Sequence, residues 1–347
     1  MITKKKNKLT PFLTRALSVT LMTATVFTAI NCDDDDDNTP AQQNVLEIAI
    51  ANADFDVLEA AAVKAGTSVT NVLGGSTQIT VFAPTDAAFI AYLDVANEAS
   101  AITAVNNLTP AAAADLLTYH VIAGTEIKSG PLAAGTTTVT TARETNNKAF
   151  VTKAGSAVTI NNGRVTTADV DASNGVIHII DAVLTPPTGD IVEIAIASEP
   201  EFQILAAALT KADLITTLKT AGPFTVFAPT DDAFLVLLSA VYESPDLTES
   251  EAINVINGLS EATSPLKLSD LKEILLYHVV PGAAYSINLT NDQVLTTAKT
   301  TAPKTVTIAI GSSVTVDGSA SDPSTVSPAN ISATNGVIHV INKVLQP

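Results

Sequence analysis

Thr80-Val81-Phe82-Ala83-Pro84-Thr85-Asp86-Ala87-Ala88-Phe89 returns 145 residues later as Thr225-Val226-Phe227-Ala228-Pro229-Thr230-Asp231-Asp232-Ala233-Phe234. Each copy reads as a short buried strand running into a helix. Val, Phe and Ala form the apolar run, and the proline ends the ladder because it has no N–H to donate. Thr85 or Thr230 is placed to cap the helix that follows, with Asp86 or Asp231 in its first turn near the positive end of the dipole. Phe89 or Phe234 then pins the helix to the core. These four polar residues are read as a structural motif, because caps and joints recur across folds.

Working outward, each repeat opens on an apolar run, Val45 to Ala51 and Ile191 to Ala197. Phe55, Leu58 and Ala62, matched by Phe202, Leu205 and Leu209, follow at helical spacing, with Gly66 as a helix stop. Asp86 and His120 lie 34 residues apart, Asp231 and His278 47 apart. The extra residues, around Tyr242 to Ser264, read as a surface excursion. A later helix in each repeat ends on Tyr119-His120 or Tyr277-His278, that of repeat 1 capped by Thr109 with Pro110 at its first position, that of repeat 2 opened by Ser269 and Asp270. Alternating Thr/Val runs come next, with a hairpin signal at Asn162-Gly163. The repeats close on Asn174-Gly175-Val176-Ile177-His178 and Asn335-Gly336-Val337-Ile338-His339. Helices first and strands after within each unit predict an α+β fold. The boundaries are 44–185 and 190–347, with a Pro186-Pro187 linker between them.

The amino terminus reads as an address. Lys4 to Lys8 precede an apolar stretch, Ala16 to Ala29, too short for a permanent span, and Cys32 is followed by Asp33 to Asp37. This order resembles a bacterial lipoprotein signal, and the acidic run resembles the export signals of surface lipoproteins of the Bacteroidota. The resemblance implies a signal peptide over 1–31, lipidation of Cys32, an acidic tether over 32–43 and display on the outer membrane.

Formal charge is −17, and without residues 1–31 the chain keeps 13 basic against 35 acidic residues. That balance argues against nucleic acid and against docking on anionic lipid, leaving the anchor as the membrane contact. Few aromatics and no Trp weaken the case for sugar-stacking platforms. One cysteine excludes an intrachain disulfide framework.

The Thr-Val-Phe-Ala-Pro-Thr-Asp box, the Tyr-His pair and the Gly-Val-Ile-His box, in this order and twice over, resemble the fasciclin-like domain. The resemblance covers residues 44–184 and 190–346, and implies two β-wedges with packed helices in a surface protein of adhesion or matrix contact. Its partner would be an extracellular protein or polysaccharide. It also nominates Tyr119, His120, Tyr277 and His278 as binding residues, against the plainer reading of core rings with satisfied polar atoms. The four histidines occupy two equivalent positions, too few ligands for a zinc site. No Gly-x-Ser-x-Gly or phosphate loop is present, so no catalytic residue, metal or cofactor is expected. His178 and His339 are read as structural, and Asp317 and Asp322 as solvated. The alternative function is a receptor or carrier that holds a glycan, lipid or other small ligand in a cleft between helices and wedge.

Overall fold

The computed structural model describes residues 42–198, 200–319 and 322–347. The stretch read as a signal peptide, Cys32 and the expected tether up to Ala41 lie outside the described residues. In repeat 1 the chain runs through α1 (Val45–Ala51), α2 (Asp56–Ala65), α3 (Thr67–Leu73), β1 (Ile79–Pro84), α4 (Asp86–Leu93), α5 (Glu98–Asn106) and α6 (Pro110–Tyr119). The strands β2 (Val121–Ala123), β3 (Gly135–Thr140), β4 (Lys148–Ala154), β5 (Ala157–Ile160), β6 (Gly163–Ala172) and β7 (Gly175–Ile180) complete it. Repeat 2 follows the same plan. Its helical part is α7 (Ile191–Ala197), α8 (Gln203–Lys211), α9 (Ile215–Leu218), β8 (Phe224–Pro229), α10 (Asp231–Tyr242), α11 (Glu249–Asn257) and α12 (Leu268–Tyr277). Its strands are β9 (Val279–Pro281), β10 (Gln293–Thr296), β11 (Thr305–Ile310), β12 (Val314–Asp317), β13 (Ser324–Thr325), β14 (Ile331–Ala333) and β15 (Gly336–Ile341).

The quoted stretch is central in both repeats. β1 lies parallel to β7, and β8 parallel to β15, with β2 and β9 antiparallel on the other side. Every residue of β1 is buried because both of its faces are covered. Val81 and Ala83 face the helices, while Phe82 faces a second core inside the wedge. Val226, Ala228 and Phe227 divide the same way in repeat 2. Pro84 does not interrupt the sheet: it stands opposite Ile180, and Thr85 N–H still donates to the Ile180 carbonyl at 3.3 Å.

In repeat 1 the sheet is continuous, in the order β2-β1-β7-β6-β5-β4-β3. The long strand β6 turns the corner of the wedge through register shifts between Val165 and Val170. Repeat 2 divides the corresponding surface into two four-stranded sheets, β14-β15-β8-β9 and β10-β11-β12-β13, bridged by Val326 and Ile341.

One expectation about repeat 2 is corrected. The stretch from Tyr242 to Ser264 is no surface excursion, because it contains α11, whose Ala252 and Ile256 are buried in the main core as Ala101 and Val105 of α5 are. The added length is spread out: α10 has 12 residues where α4 has 8, and the connection after α11 runs from Gly258 to Lys267. α12 starts at Leu268 with Ser269 and Asp270 in its first turn, and Glu261 caps that turn by accepting from Ser269 N–H at 2.8 Å. Asp317 ends β12, and the exposed Asp322 pairs with Lys343 at 3.6 Å.

Candidate functional site

At the joint, Thr85 caps α4 by accepting from Ala88 N–H at 3.3 Å, and Thr230 caps α10 by accepting from Ala233 N–H at 3.2 Å. The aspartate beside each reaches elsewhere. Asp86 accepts from Asp56 N–H at 3.2 Å and Val57 N–H at 2.8 Å, which opens α2 rather than α4. Asp231 does the same for α8 through Gln203 and Ile204, at 2.9 and 2.8 Å. The N-cap residues of α2 and α8 are Phe55 and Phe202, which carry no acceptor, so the buried carboxylate supplies the missing cap across the core. In repeat 1, Asp56, Asp86 and Glu98 each bring an oxygen within 4.8 Å of the others. The Glu98 carboxyl is raised above its ordinary pKa by desolvation and then by the two aspartates. Repeat 2 has Gln203 where repeat 1 has Asp56.

Each closing box is built round an asparagine and a glycine. Asn174 accepts from Val45 N–H and donates to the carbonyls of Leu73 and Gly75, so it ties α1 and α3 to the last hairpin. Asn335 repeats this with Ile191, Leu218 and Thr220. A Cβ on Gly175 would lie 1.9 Å from the Ile79 carbonyl oxygen, and one on Gly336 2.0 Å from that of Phe224. Only glycine lets the parallel strands pair there.

The histidines sit on two layers of this frame, all buried. His120 Nδ1 donates to the Leu116 carbonyl at 2.9 Å, and its Nε2 accepts from Leu184 N–H at 2.9 Å. His278 makes the same clasp between Ile274 and Leu345, at 2.8 Å on each side. A carbonyl only accepts and an amide only donates, so the tautomer follows and the ring is neutral. Burial pushes both imidazoles down to a pKa of about 4. His178 and His339 carry the opposite tautomer. Nε2 of His178 donates to the Ile127 carbonyl at 2.7 Å and Nδ1 accepts from Asp169 N–H at 3.2 Å; His339 bridges Ala284 and Asn330. Burial lowers these two as well. Asp169 lies 4.0 Å from His178 and is hydrogen-bonded to Ser129. The order Ser–Asp–His leaves no ring nitrogen facing the hydroxyl, so the trio lacks the geometry of an activated nucleophile.

Tyr119 and Tyr277 are fully buried. The Tyr119 hydroxyl donates to the Lys148 carbonyl at 2.8 Å and accepts from Asn161 Nδ2 at 2.9 Å; that of Tyr277 donates to the Thr305 carbonyl at 2.6 Å. Burial raises the Tyr119 hydroxyl above its usual pKa. Tyr119, His120, Tyr277 and His278, the residues nominated for binding, are all buried. They lie in the core with their polar atoms engaged, because a helix that ends inside the wedge must satisfy its last carbonyls within the protein. Sequence reading missed the cross-capping role of Asp86 and Asp231 and the ties made by Asn174 and Asn335. Their appearance at equivalent positions in both repeats was the available signal.

An apolar slot lies under the first helix of each repeat, about 30 Å³ beneath α1 and about 20 Å³ beneath α7. His120 and His278 border the slots, but their nitrogens are already in use.

A doubled, helix-backed β-wedge in which buried imidazoles and carboxylates clasp backbone to backbone defines a tandem α+β repeat protein. The profile of the Fasciclin domain matches residues 54–186 and 200–347, and the chain belongs to that family. Protein sll1483 of Synechocystis is 35% identical over 173 residues, which cover 49% of this chain and 79% of that protein. The transforming growth factor-beta-induced protein ig-h3 of Oryctolagus cuniculus is 32% identical over 193 residues, 55% of this chain but only 24% of that protein. A solved FAS1 domain pair from the insect cell adhesion molecule fasciclin I aligns with a TM-score of 0.38 at 18% identity, over 84% of this chain and 96% of that one.

Proposed function

We propose that this is a non-catalytic adhesion or matrix-binding protein that displays its two fasciclin repeats outside the cell. In this reading residues 1–31 are removed on export, Cys32 is lipidated and 32–43 tether the repeats to the outer membrane. The partner is an extracellular protein or polysaccharide. The observation that carries the non-catalytic reading is the state of the histidines: each of the eight ring nitrogens holds a backbone group in place. An imidazole so engaged is not available to move a proton to or from a substrate. Among the described residues no helix is long and apolar enough to cross a membrane. Family membership supports the adhesion-type role.

The rival reading, a carrier for a small ligand between helices and wedge, needs a cavity of roughly 300 Å³ or more. The enclosed slots under α1 and α7 are about a tenth of that or less, and the concavities that reach this size, about 300 Å³ beside Phe89 and Leu116, about 460 Å³ beside Leu237 and Val344 and about 570 Å³ beside Lys128 and Leu132, are more open to solvent. Isothermal titration of residues 38–347 against a panel of glycans and lipids tests the rival, and silence is the expected result. For the main reading, a strain lacking the protein is compared with its parent for adherence to surfaces coated with matrix protein or polysaccharide. Reduced adherence, restored by the wild-type chain, supports it; equal adherence overturns it.

A further inference from the structure

We infer that the two repeats form one rigid body, locked by the insertion of Phe150 beside Tyr285, and that both free ends lack this match, so the pair does not extend head to tail. Phe150 on β4 is 1% exposed, yet the apolar side chains clustered with it, Ala283, Tyr285, Ile287 and Val337, all belong to repeat 2. Tyr285 is likewise 1% exposed. Beside them Thr159 donates to Asn288 Oδ1 at 3.1 Å across the boundary. Two large rings are sheltered from water in a cluster that spans this junction, which favours the joined state over a swinging one.

Both sides are held before they meet. The Phe150 N–H donates to Asn161 Oδ1 at 2.8 Å, and Asn161 in turn donates to the Tyr119 hydroxyl. Tyr119 is therefore a positioning residue for the junction. On the other side Tyr285 donates to Ser332 Oγ at 3.1 Å, Ser286 N–H donates to Asn330 Oδ1 at 2.7 Å, and His339 accommodates the Ala284 carbonyl at 2.9 Å.

Internal symmetry identifies the corresponding residues at the free ends. His178 meets Ile127 as His339 meets Ala284, and Ser129 N–H meets Asp169 as Ser286 N–H meets Asn330, so Lys128 stands where repeat 2 has Tyr285. Asp171 stands where repeat 2 has Ser332, and Lys128 pairs with it at 2.9 Å, with a side chain 45% exposed. The Tyr119 and Tyr277 hydroxyls mark Lys148 and Thr305 as equivalent, so Thr307 occupies the place of Phe150. A phenyl ring pressed onto the Lys128–Asp171 pair would strip it of water, and Thr307 offers no ring to insert. A head-to-tail contact of this type repeats indefinitely unless its outer faces differ. Here they differ.

The test exchanges residues between repeats, so each replacement is one that the equivalent site already carries. Spin labels on Val63→Cys and Val236→Cys in a Cys32→Ser background report the distance between repeats in the full chain. The parent should give one narrow distance distribution and a single thermal transition. Phe150→Thr, and separately Tyr285→Lys with Ser332→Asp, should broaden the distribution and divide the melt in two while circular dichroism stays unchanged. Narrow distributions with single melts in both variants overturn the lock. The converse variant, Lys128→Tyr with Asp171→Ser and Thr307→Phe, should form head-to-tail oligomers by light scattering. If it stays monomeric, the claim that these residues terminate the assembly is overturned.

Discussion

Mild acid should weaken this protein through its buried imidazoles. His120 and His278 are neutral in the fold and drop from 6.5 to a pKa of about 4, because burial penalises the charged ring. Protonation would also replace the acceptor lone pair that each Nε2 offers to Leu184 or Leu345 N–H. The unfolded chain binds these protons near pH 6.5, whereas the folded chain holds them off until about pH 4. Stability is thus full above the unfolded value and declines as pH falls from 6.5 towards 4. Each pH unit costs about 1.4 kcal/mol per ring, so acidification to pH 5 removes about 2 kcal/mol at each clasp. That is a large share of a typical domain stability of about 5–15 kcal/mol. His178 and His339, also lowered, act with the same sign. The lowered carboxyls of Glu193, Glu251 and Glu273 act with the same sign, and the raised carboxyl of Glu98 opposes them. The assay is urea unfolding between pH 7.5 and 5.0. A stability independent of pH across that range would refute the argument, and His120→Gln with His278→Gln should flatten the slope.

Three further outcomes follow from the frame. Asp86→Ala removes the cap of α2 and leaves two amides without their acceptor, so thermal unfolding should show a loss of about 1–3 kcal/mol; Asp231→Ala should do the same for α8. Gly175→Ala puts a carbon 1.9 Å from the Ile79 carbonyl oxygen, and circular dichroism of the purified variant should show repeat 1 failing to fold, a loss above about 4 kcal/mol. Metabolic labelling with a fatty acid should mark the wild-type chain and not Cys32→Ser; an unlabelled wild type would end the lipoprotein reading.

Much of the fold was legible because it is written twice. The strand–helix joint, the two-unit plan and the α+β order rest on local signals: an apolar run, a proline, a capping threonine, a closing Asn-Gly. Such signals act over a few residues and survive in one dimension. The extra residues of repeat 2 misled for the same reason, since Ser, Glu and Pro mark a solvated surface while the period of Ala252 and Ile256 on α11 is short and easily overlooked.

The site needed three dimensions. Asp86 looks like a helper of its own helix because the dipole it sits on is adjacent, yet the amides it binds are those of Asp56 and Val57, 30 and 29 residues earlier. His120 finds its acceptor partner four residues back and its donor 64 residues on, and that second contact makes it a clasp instead of a contact residue. Sequence alone determined the strand–helix joints, the helices that end on Tyr-His, the closing strands and the fact that they recur. Tertiary structure alone decided which polar atoms are free to meet a partner, because burial and hydrogen-bond satisfaction depend on segments that meet only when the sheets close.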